Sequence, residues 1–259
     1  MAQAIKAAFF DVDGTLMSFK THGLPASAQR ALAELRRRGI RTIVSSGRPF
    51  YHLPAAVQTG FDAYITLNGQ LCFDEAGTFR SAPLPEADVR AIVGEVEAGA
   101  FDVLCFLRDG SFASRETPRL AEFRRKVGTD YRPGDIARAL AEPVYQFCGL
   151  FDPGNEHLVT DVAPSVAITR WTDLFCDIVP AGGGKDQGVD AVLARYGIAP
   201  NEAVAFGDGE NDLSMFEAVG TSVAMGNARD EVKRAADYVT ASVDDDGILR
   251  ACEHLGLLG

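Results

Sequence analysis

The sequence has little of what several classes of protein require. Its cysteines are odd in number, scattered and without C-x-x-C spacing, which argues against a zinc site or a disulfide framework. They are predicted to be reduced thiols of the core, and they are Cys72, Cys105, Cys148, Cys176 and Cys252. The four histidines show no metal-ligand spacing either.

Positive charge and long apolar runs are also scarce. The 25 lysines and arginines are outnumbered by 36 acidic residues, and the net charge of −11 argues against a nucleic-acid-binding surface. No apolar stretch approaches the roughly 18 residues that span a bilayer, and the chain reaches Asp11 without the apolar core of a signal peptide. We therefore expect a cytoplasmic protein that binds neither nucleic acid nor membrane, as a monomer or a weak homodimer.

What the chain does have, along its 259 residues, is an alternation of strand and helix signals at both ends. The first stretch predicts a strand at Ala7–Phe10, a helix over 26–38, a strand over 40–45, a helix carrying Leu53 and Val57, and a strand over 64–67. After Lys185 the same rhythm returns, with a helix over 185–196 and a strand over 203–206. This pattern predicts an α/β protein with a doubly wound, Rossmann-like parallel sheet.

The middle of the chain follows a different pattern from Pro83 onwards. A helix is predicted over 86–98, and strand-like runs are predicted over 103–107, 112–114, 145–150, 166–169 and 175–179. Helices and strands grouped without strict alternation indicate an α+β module with a mostly antiparallel sheet. The glycines at 182–184 are typical of a hinge or a tight loop. We therefore predict a core domain of residues 1–82 and 183–259, interrupted by an inserted domain of residues 83–182.

Two carboxylates directly follow the first predicted strand, in the run DVDGT that begins at Asp11. Residues i and i+2 of a strand point the same way, so Asp11 and Asp13 are expected to emerge together at its carboxyl end, where open α/β sheets bind ligands. Like charges held that close favour a cation or a shared proton. An acidic turn is the alternative, because Asp-Gly is a common turn dipeptide.

A second acidic loop, GDGEND beginning at Gly207, also follows an apolar strand and precedes a helix. Neighbouring parallel strand ends would bring its Asp208 and Asp212 against Asp11 and Asp13. Such a cluster of carboxylate oxygens suits a hard cation such as Mg²⁺. A calcium-like loop or an acidic helix cap is the alternative, although the glutamate at the twelfth position of an EF-hand loop is missing.

Two further positions offer groups for an anion. Ser46-Gly47 ends the second strand, and a hydroxyl with a following backbone N–H before a helix forms an anion-binding corner, although Ser-Gly is also a common turn. Lys185 follows three glycines, but Asp186 stands where a P-loop requires Ser or Thr. Lys185 is therefore expected to balance the aspartates and to hold a phosphoryl oxygen.

The order of these motifs resembles that of the haloacid dehalogenase superfamily, specifically the Cof-type sugar-phosphate phosphatases with an inserted α/β (type C2) cap. The motifs are DVDGT at Asp11, SGRP at Ser46, Lys185, and GDGEND at Gly207, and the resemblance covers essentially the whole chain. Asn68-Gly69 after the third strand also fits. Ser46 stands where many relatives have threonine, which also supplies a hydroxyl, and three glycines before the lysine are unusual.

The resemblance implies Mg²⁺-dependent hydrolysis of small phosphate monoesters, sugar phosphates among them, with residues 83–182 as a cap that closes over the site and reads the leaving group. Asp11 would attack phosphorus and form an aspartyl-phosphate. Asp13 would protonate the leaving alkoxide and then deprotonate the water that hydrolyses the intermediate. The substrate would be a small phosphorylated metabolite.

The resemblance also implies two ligand sets. The metal would be bound by the carboxylates of Asp11 and Asp208, the backbone carbonyl of Asp13, and Asp212 directly or through a water. The transferring phosphoryl group would be held by Ser46, Gly47, Lys185 and Asn211.

Other functions remain open for the same residues. A phosphomutase or phosphotransferase would use the same aspartyl-phosphate but pass the phosphoryl group to a sugar instead of water. A non-enzymatic phosphate-ligand binding protein would be expected to have lost a catalytic carboxylate, yet every such position is occupied.

Overall fold

The computed structural model describes residues 4–258. The first stretch contains β1 (Ala7–Phe10), α1 (Ala26–Arg37), β2 (Arg41–Ser45), β3 (Ala63–Thr66), β4 (Leu71–Asp74) and β5 (Gly77–Ser81). The middle contains α2 (Glu86–Ala98), β6 (Asp102–Leu107), β7 (Ser111–Ala113), α3 (Pro118–Val127), β8 (Val144–Leu150), α4 (His157–Thr160), β9 (Val166–Thr172) and β10 (Phe175–Pro180). The last stretch contains α5 (Lys185–Tyr196), β11 (Ala203–Gly207), α6 (Leu213–Glu217), β12 (Thr221–Ala224), α7 (Asp230–Ala235), β13 (Tyr238–Val239) and α8 (Gly247–His254). Within the described range, no helix combines the length and the apolar character needed to cross a bilayer.

The chain divides into two compact units, of which the first runs to Ser81 and resumes at Gly184. This unit contains a sheet of strand order β13-β12-β11-β1-β2-β3-β4-β5. The strands from β13 to β3 pair in parallel, and β4 and β5 extend one edge as an antiparallel hairpin. The predicted doubly wound parallel sheet is confirmed, whereas the hairpin was not predicted.

Strand β1 lies inside this sheet, between β11 and β2, and is covered on both faces. Ala8 and Phe10 belong to an apolar cluster with α1 and α8, and Ala7 and Phe9 belong to a second cluster with α5. A parallel strand covered on both faces is expected to be apolar throughout, which explains this run of four fully buried residues. Asp11, which follows Phe10, donates its backbone N–H to Phe206 of β11, and its side chain accepts a hydrogen bond from Lys185 at the start of α5.

The second unit, Ala82–Gly183, has its own antiparallel sheet of strand order β7-β6-β8-β10-β9. Helix α2 has the predicted bounds; it follows Pro85 and ends at Gly99, whose φ of 84° is left-handed. Its buried apolar side chains, such as Ile92 and Val96, form a cluster with residues of β6, β8 and β10. The predicted α+β module with a mostly antiparallel sheet is therefore confirmed.

The segment between β2 and β3 corrects one prediction. In place of the predicted helix, the chain forms two short 3₁₀ turns, Phe50–His52 and Ala55–Val57. Pro54 separates them, because it has no backbone N–H to donate and disfavours a helical conformation in the preceding residue. Leu53 accordingly has an extended backbone, with φ −67° and ψ 143°. The apolar spacing of the two turns resembles that of a helix, but the proline prevents one.

A tight turn after β3 fixes the start of α5. Leu67, Asn68 and Gly69 all have left-handed φ angles, of 54°, 53° and 91°. A Cβ atom on Gly69 would lie 2.1 Å from the carbonyl oxygen of Gly184, the residue before Lys185. Glycine is therefore required here for both its backbone conformation and its lack of a side chain. The close contact sets the position from which Lys185 begins its helix.

Candidate active site

The predicted site residues gather where the carboxyl ends of neighbouring strands meet. Asp11 follows β1, Ser46 follows β2, and Asp208 follows β11, so that three adjacent parallel strands end with a polar side chain at one edge. Asn68 lies in the turn after the next strand, β3. This is the edge at which open α/β sheets bind their ligands.

Lys185 occupies the centre of this cluster. Its Nζ atom donates hydrogen bonds to Oδ1 of Asp11 and Oδ1 of Asp212, each at 2.6 Å. The exposed fractions of Lys185, Asp11 and Asp212 are 1%, 7% and 0%. Burial alone would lower the pKa of Lys185, but the charges of Asp11 and Asp212 outweigh burial and raise that pKa above its ordinary value. The two carboxylates therefore favour the charged form of this buried lysine.

Asp212 also holds the loop that carries the other metal candidate. Its Oδ2 atom accepts hydrogen bonds from the backbone N–H groups of Asp208 and Gly209, both at 2.9 Å. Since its Oδ1 atom is bonded to Lys185, each oxygen of this carboxylate has a protein partner. Asp212 thus joins the loop after β11 to the start of α5.

Asp208 is oriented by two residues to which the sequence assigned no role, Thr15 of the DVDGT motif and Asn227. Its Oδ1 atom accepts a hydrogen bond from the Thr15 hydroxyl at 3.0 Å, and its Oδ2 atom accepts one from Nδ2 of Asn227 at 3.1 Å. The same Nδ2 donates to the carbonyl oxygen of Gly14 at 2.9 Å. Gly14 has a φ of 92°, and a Cβ atom there would lie 2.2 Å from Oδ2 of Asp208, so this approach requires glycine.

The carboxylates form a set that fits a hard divalent cation. Asp11, Asp208 and Asp212 each offer one oxygen, and these oxygens lie within 4.8 Å of one another. Burial raises the pKa of Asp11 well above its ordinary value, and the other aspartates raise it further while Lys185 lowers it. Burial and the charge of Asp212 raise the pKa of Asp208 to about 7. A divalent cation would relieve this crowding of negative charge, and oxygen donors suit Mg²⁺.

The charge of Asp13 acts on Asp11, as expected of two nearby carboxylates, but the two side chains do not leave one continuous strand. Strand β1 ends at Phe10, and backbone hydrogen bonds fold residues 11–17 into a turn. The carboxylate of Asp13 is not among the three clustered oxygens. It forms an ion pair with Arg48, a residue of the SGRP motif to which the sequence assigned no partner.

The candidate phosphate-binding groups meet around Asn68. Its Oδ1 atom accepts a hydrogen bond from Nδ2 of Asn211 at 3.1 Å. Gly47 lies against the same amide, since a Cβ atom there would be 3.0 Å from Oδ1 of Asn68. Ser46 is nearly buried, and its Oγ atom accepts the backbone N–H of Arg48 at 3.1 Å. Asn68 therefore connects the loop after β2 to the loop after β11.

Nearly the whole chain is similar in sequence to bacterial proteins with phosphatase names. It is 36% identical over 255 residues to the protein named "Putative phosphatase YkrA" in Bacillus subtilis, with 98% of each chain covered. It is 30% identical over 261 residues to pyridoxal phosphate phosphatase YbhA of Escherichia coli, with 92% of this chain and 94% of that one covered.

Solved structures share the fold over the same length. BT1666 of Bacteroides thetaiotaomicron, a phosphatase of the haloalkanoate (HAD) enzyme superfamily, has a TM-score of 0.91 at 34% identity, covering 98% of this chain and 96% of that chain. The HAD subclass IIB sugar phosphatase BT4131 has a TM-score of 0.88 at 31% identity, covering 98% and 100%. A family model of haloacid dehalogenase-like hydrolases matches residues 8–252, and the chain belongs to this family of enzymes.

Proposed function

We propose that the protein is a Mg²⁺-dependent phosphatase that hydrolyses small phosphate monoesters, with sugar phosphates as its substrate class, through an aspartyl-phosphate intermediate. The observation that carries this proposal is the buried contact of Asp11 with Lys185 beside two further carboxylates. The names of its relatives, a sugar phosphatase and a pyridoxal phosphate phosphatase, support a small phosphorylated metabolite as the substrate.

Charge repulsion is the main barrier to this reaction, because an anionic oxygen must approach an anionic phosphoryl group. The carboxylates of Asp11 and Asp208, the backbone carbonyl of Asp13, and Asp212 directly or through a water would hold Mg²⁺, which would supply Lewis-acid stabilisation of the phosphoryl oxygens. Lys185 adds a fixed positive charge at the nucleophile.

Asp11 is the nucleophile in this proposal. Lys185 holds its Oδ1 atom and so limits rotation of the carboxylate, which leaves Oδ2 to attack phosphorus. A bond forms between Oδ2 and phosphorus while the bond from phosphorus to the ester oxygen breaks. Water then attacks the aspartyl-phosphate, and phosphate leaves with the carboxylate restored.

Asp13 moves the protons of both steps. It gives a proton to the departing ester oxygen and later takes one from the attacking water, which returns it to its protonated form. Ser46, Gly47 and Asn211, with Lys185, hold the phosphoryl oxygens. Gly47 and Asn211 both contact Asn68, which keeps them close together, and this supports their assignment as phosphoryl-binding groups.

The two units divide these tasks in our proposal. Residues 1–82 and 183–259 form the catalytic core, since every residue assigned to the chemistry lies there. Residues 83–182 form a cap that selects the ester. The separate apolar core of the middle unit supports its treatment as a domain.

Phosphate release tests the function directly. Purified protein is incubated with a panel of esters, including hexose phosphates, pyridoxal phosphate and p-nitrophenyl phosphate, in Mg²⁺ or in EDTA. We expect inorganic phosphate in Mg²⁺ and none in EDTA. A parallel series contains a free sugar as acceptor. Transfer to that sugar without free phosphate would make the protein a phosphomutase or phosphotransferase, and binding without turnover would make it a binding protein.

Asp208→Asn should separate metal binding from stability. Because the pKa of Asp208 is raised to about 7, its ionised form opposes folding at pH 8, and its neutral replacement should raise the melting temperature in EDTA by about 2–4 °C, the equivalent of about 1 kcal/mol. The variant should lose most of the further rise that Mg²⁺ gives the wild type. Thermal melting with and without Mg²⁺ measures both effects. Asp190→Asn, at an exposed position of α5, is the control, and an unchanged Mg²⁺ response in Asp208→Asn would contradict the assignment.

A further inference from the structure

The ion pair between Arg48 and Asp13 has the geometry of a clamp. Nε of Arg48 donates to Oδ2 of Asp13 at 2.6 Å, and Nη2 donates to Oδ1 at 2.8 Å. A planar guanidinium that binds both oxygens prevents the carboxylate from rotating, which a single contact would not. The exposed fractions of the two side chains are 31% and 34%, so the pair is shielded more than the surface pairs that contribute little.

Arg48 is itself held in place from several directions. Its backbone N–H donates to Oγ of Ser46 at 3.1 Å, and its backbone carbonyl accepts the N–H of Leu67 at 3.1 Å. Its Nη1 atom donates to the carbonyl oxygen of His52 at 3.3 Å. Both the backbone and the guanidinium of Arg48 are therefore fixed by the core unit before any substrate binds.

The 3₁₀ turn that supplies the His52 carbonyl is anchored in turn by aromatic packing. The ring of Phe50 packs edge-on against Tyr64 and Phe73, with centroid distances of 5.1 and 5.2 Å. Tyr64 lies on β3 and Phe73 on β4. Contacts therefore run from the strands of the sheet through the turn and Arg48 to the carboxylate of Asp13.

We propose that Arg48 is a positioning residue that holds the Asp13 carboxyl group in the orientation required for its two proton transfers, to the ester oxygen and from the attacking water. This inference rests on the proposed function, in which Asp13 is the general acid and base. Proton transfer needs hydrogen-bond distance and alignment, and a small misplacement is costly. Arg48 acts through Asp13; a phosphoryl group that used the same Nε and Nη2 atoms would have to displace Asp13 first.

A double-mutant cycle distinguishes action through Asp13 from direct binding of the ester. The variants are Arg48→Met, Asp13→Asn and the two combined, with a hexose phosphate from the ester panel as substrate. Steady-state release of the sugar in Mg²⁺ at a series of substrate concentrations gives kcat and KM for each variant. We expect Arg48→Met to lower kcat/KM about 10–100-fold in the wild-type background, mostly through kcat. In the Asp13→Asn background it should cause no further loss, within about twofold.

The leaving group provides an independent readout. A hexose phosphate needs a proton on departure, whereas p-nitrophenyl phosphate needs little help, so Arg48→Met should affect the sugar ester more than the aryl ester. Arg48→Lys should lose less than Arg48→Met, because it keeps the charge but not the two-point contact. Arg195→Met is the matched control. It removes an arginine paired with Asp74 at 2.9 Å and should not change either rate.

The outcomes decide separately on the inference and on the proposed function. Equal loss from Arg48→Met in both backgrounds, or a raised KM with unchanged kcat, would overturn the positioning role and make Arg48 a binder of the ester. If Arg48→Met does not fold, as circular dichroism would show, Arg48→Lys is carried through the same cycle. A wild-type protein that hydrolyses no ester would overturn the proposed function and this inference with it, whereas an active wild type with additive losses would overturn the inference alone.

Discussion

Asp11→Asn is expected to fold, to bind substrate and to lose turnover by several orders of magnitude. The amide keeps an oxygen that can accept the hydrogen bond from Lys185, so the arrangement of the lysine should survive. An amide, however, cannot form the aspartyl-phosphate. Phosphate release in Mg²⁺ measures the loss, and calorimetric titration with the substrate measures binding.

Two comparisons make this result specific to the nucleophile. Asp190→Asn makes the same chemical change at an exposed position of α5 and should retain full turnover. Asp11→Asn should melt no lower than the wild type in EDTA. Burial raises the pKa of Asp11, which means that its negative charge opposes folding, and the variant removes that charge. Near-normal turnover in Asp11→Asn would show that Asp11 is not the nucleophile.

Lys185→Met should damage both the fold and the chemistry. The change leaves the carboxylates of Asp11 and Asp212 buried without the cation that lies 2.6 Å from each. Removing one partner from a buried ionic group costs about 3–5 kcal/mol, which corresponds to a melting temperature lower by about 6–20 °C in EDTA. Turnover should fall by about 10²–10³ in samples shown to be folded, because a fixed positive charge at the nucleophile is lost.

Mg²⁺ should restore part of the stability of Lys185→Met, since it brings another positive charge to the same carboxylates. Lys20→Met is the control, because Lys20 forms an ion pair with Asp244 at 3.0 Å and its side chain is 78% exposed. Such a pair contributes little to stability. A Lys185→Met protein that melts like the wild type would mean that the aspartates do not depend on the lysine for charge balance.

The elements whose bounds were predicted most accurately are those that begin and end at local sequence signals. Helix α5 has the predicted bounds, because Lys185 follows three glycines and Gly197 ends the helix with a left-handed φ of 65°. The hairpin of β4 and β5 was missed, because β4 has only two buried residues and β5, the edge strand, has none. Covered parallel strands have continuous apolar runs, whereas β5 has the sequence GTFRS with a single apolar residue and so lacks that signal.

The same distinction applies to the site. Asp11, Lys185, Asp208 and Asp212 were expected to cluster because parallel strands end at one edge, and the structure brings them together. Hydrogen bonds between segments far apart in the sequence could not be predicted in this way, because no local pattern indicates them. Asn227 contacts Gly14 across 213 positions of the chain, and neither residue's local sequence indicates the other.

The pairing of Arg48 with Asp13 was also missed, although both residues stand in motifs that were recognised. Strand alternation was used to predict the direction of the Asp13 side chain, which assumed that the strand continued past Asp11. The chain turns after Phe10 instead. A strand's alternation can be extrapolated only as far as its ladder of hydrogen bonds, and that limit is set by neighbouring strands.

The contact of Gly69 with Gly184 has a consequence for how such a protein can diverge. Ser81, the last residue before the middle unit, pairs with Leu71, which lies two residues after Gly69. Gly69 in turn lies against Gly184, where the chain returns. The exit and the re-entry of the inserted segment therefore share one corner of the core. A segment attached at such a corner can lengthen, shorten or be exchanged during evolution without changing the strand order or the catalytic edge. Its sequence can therefore change at a different rate from that of the residues at the catalytic edge.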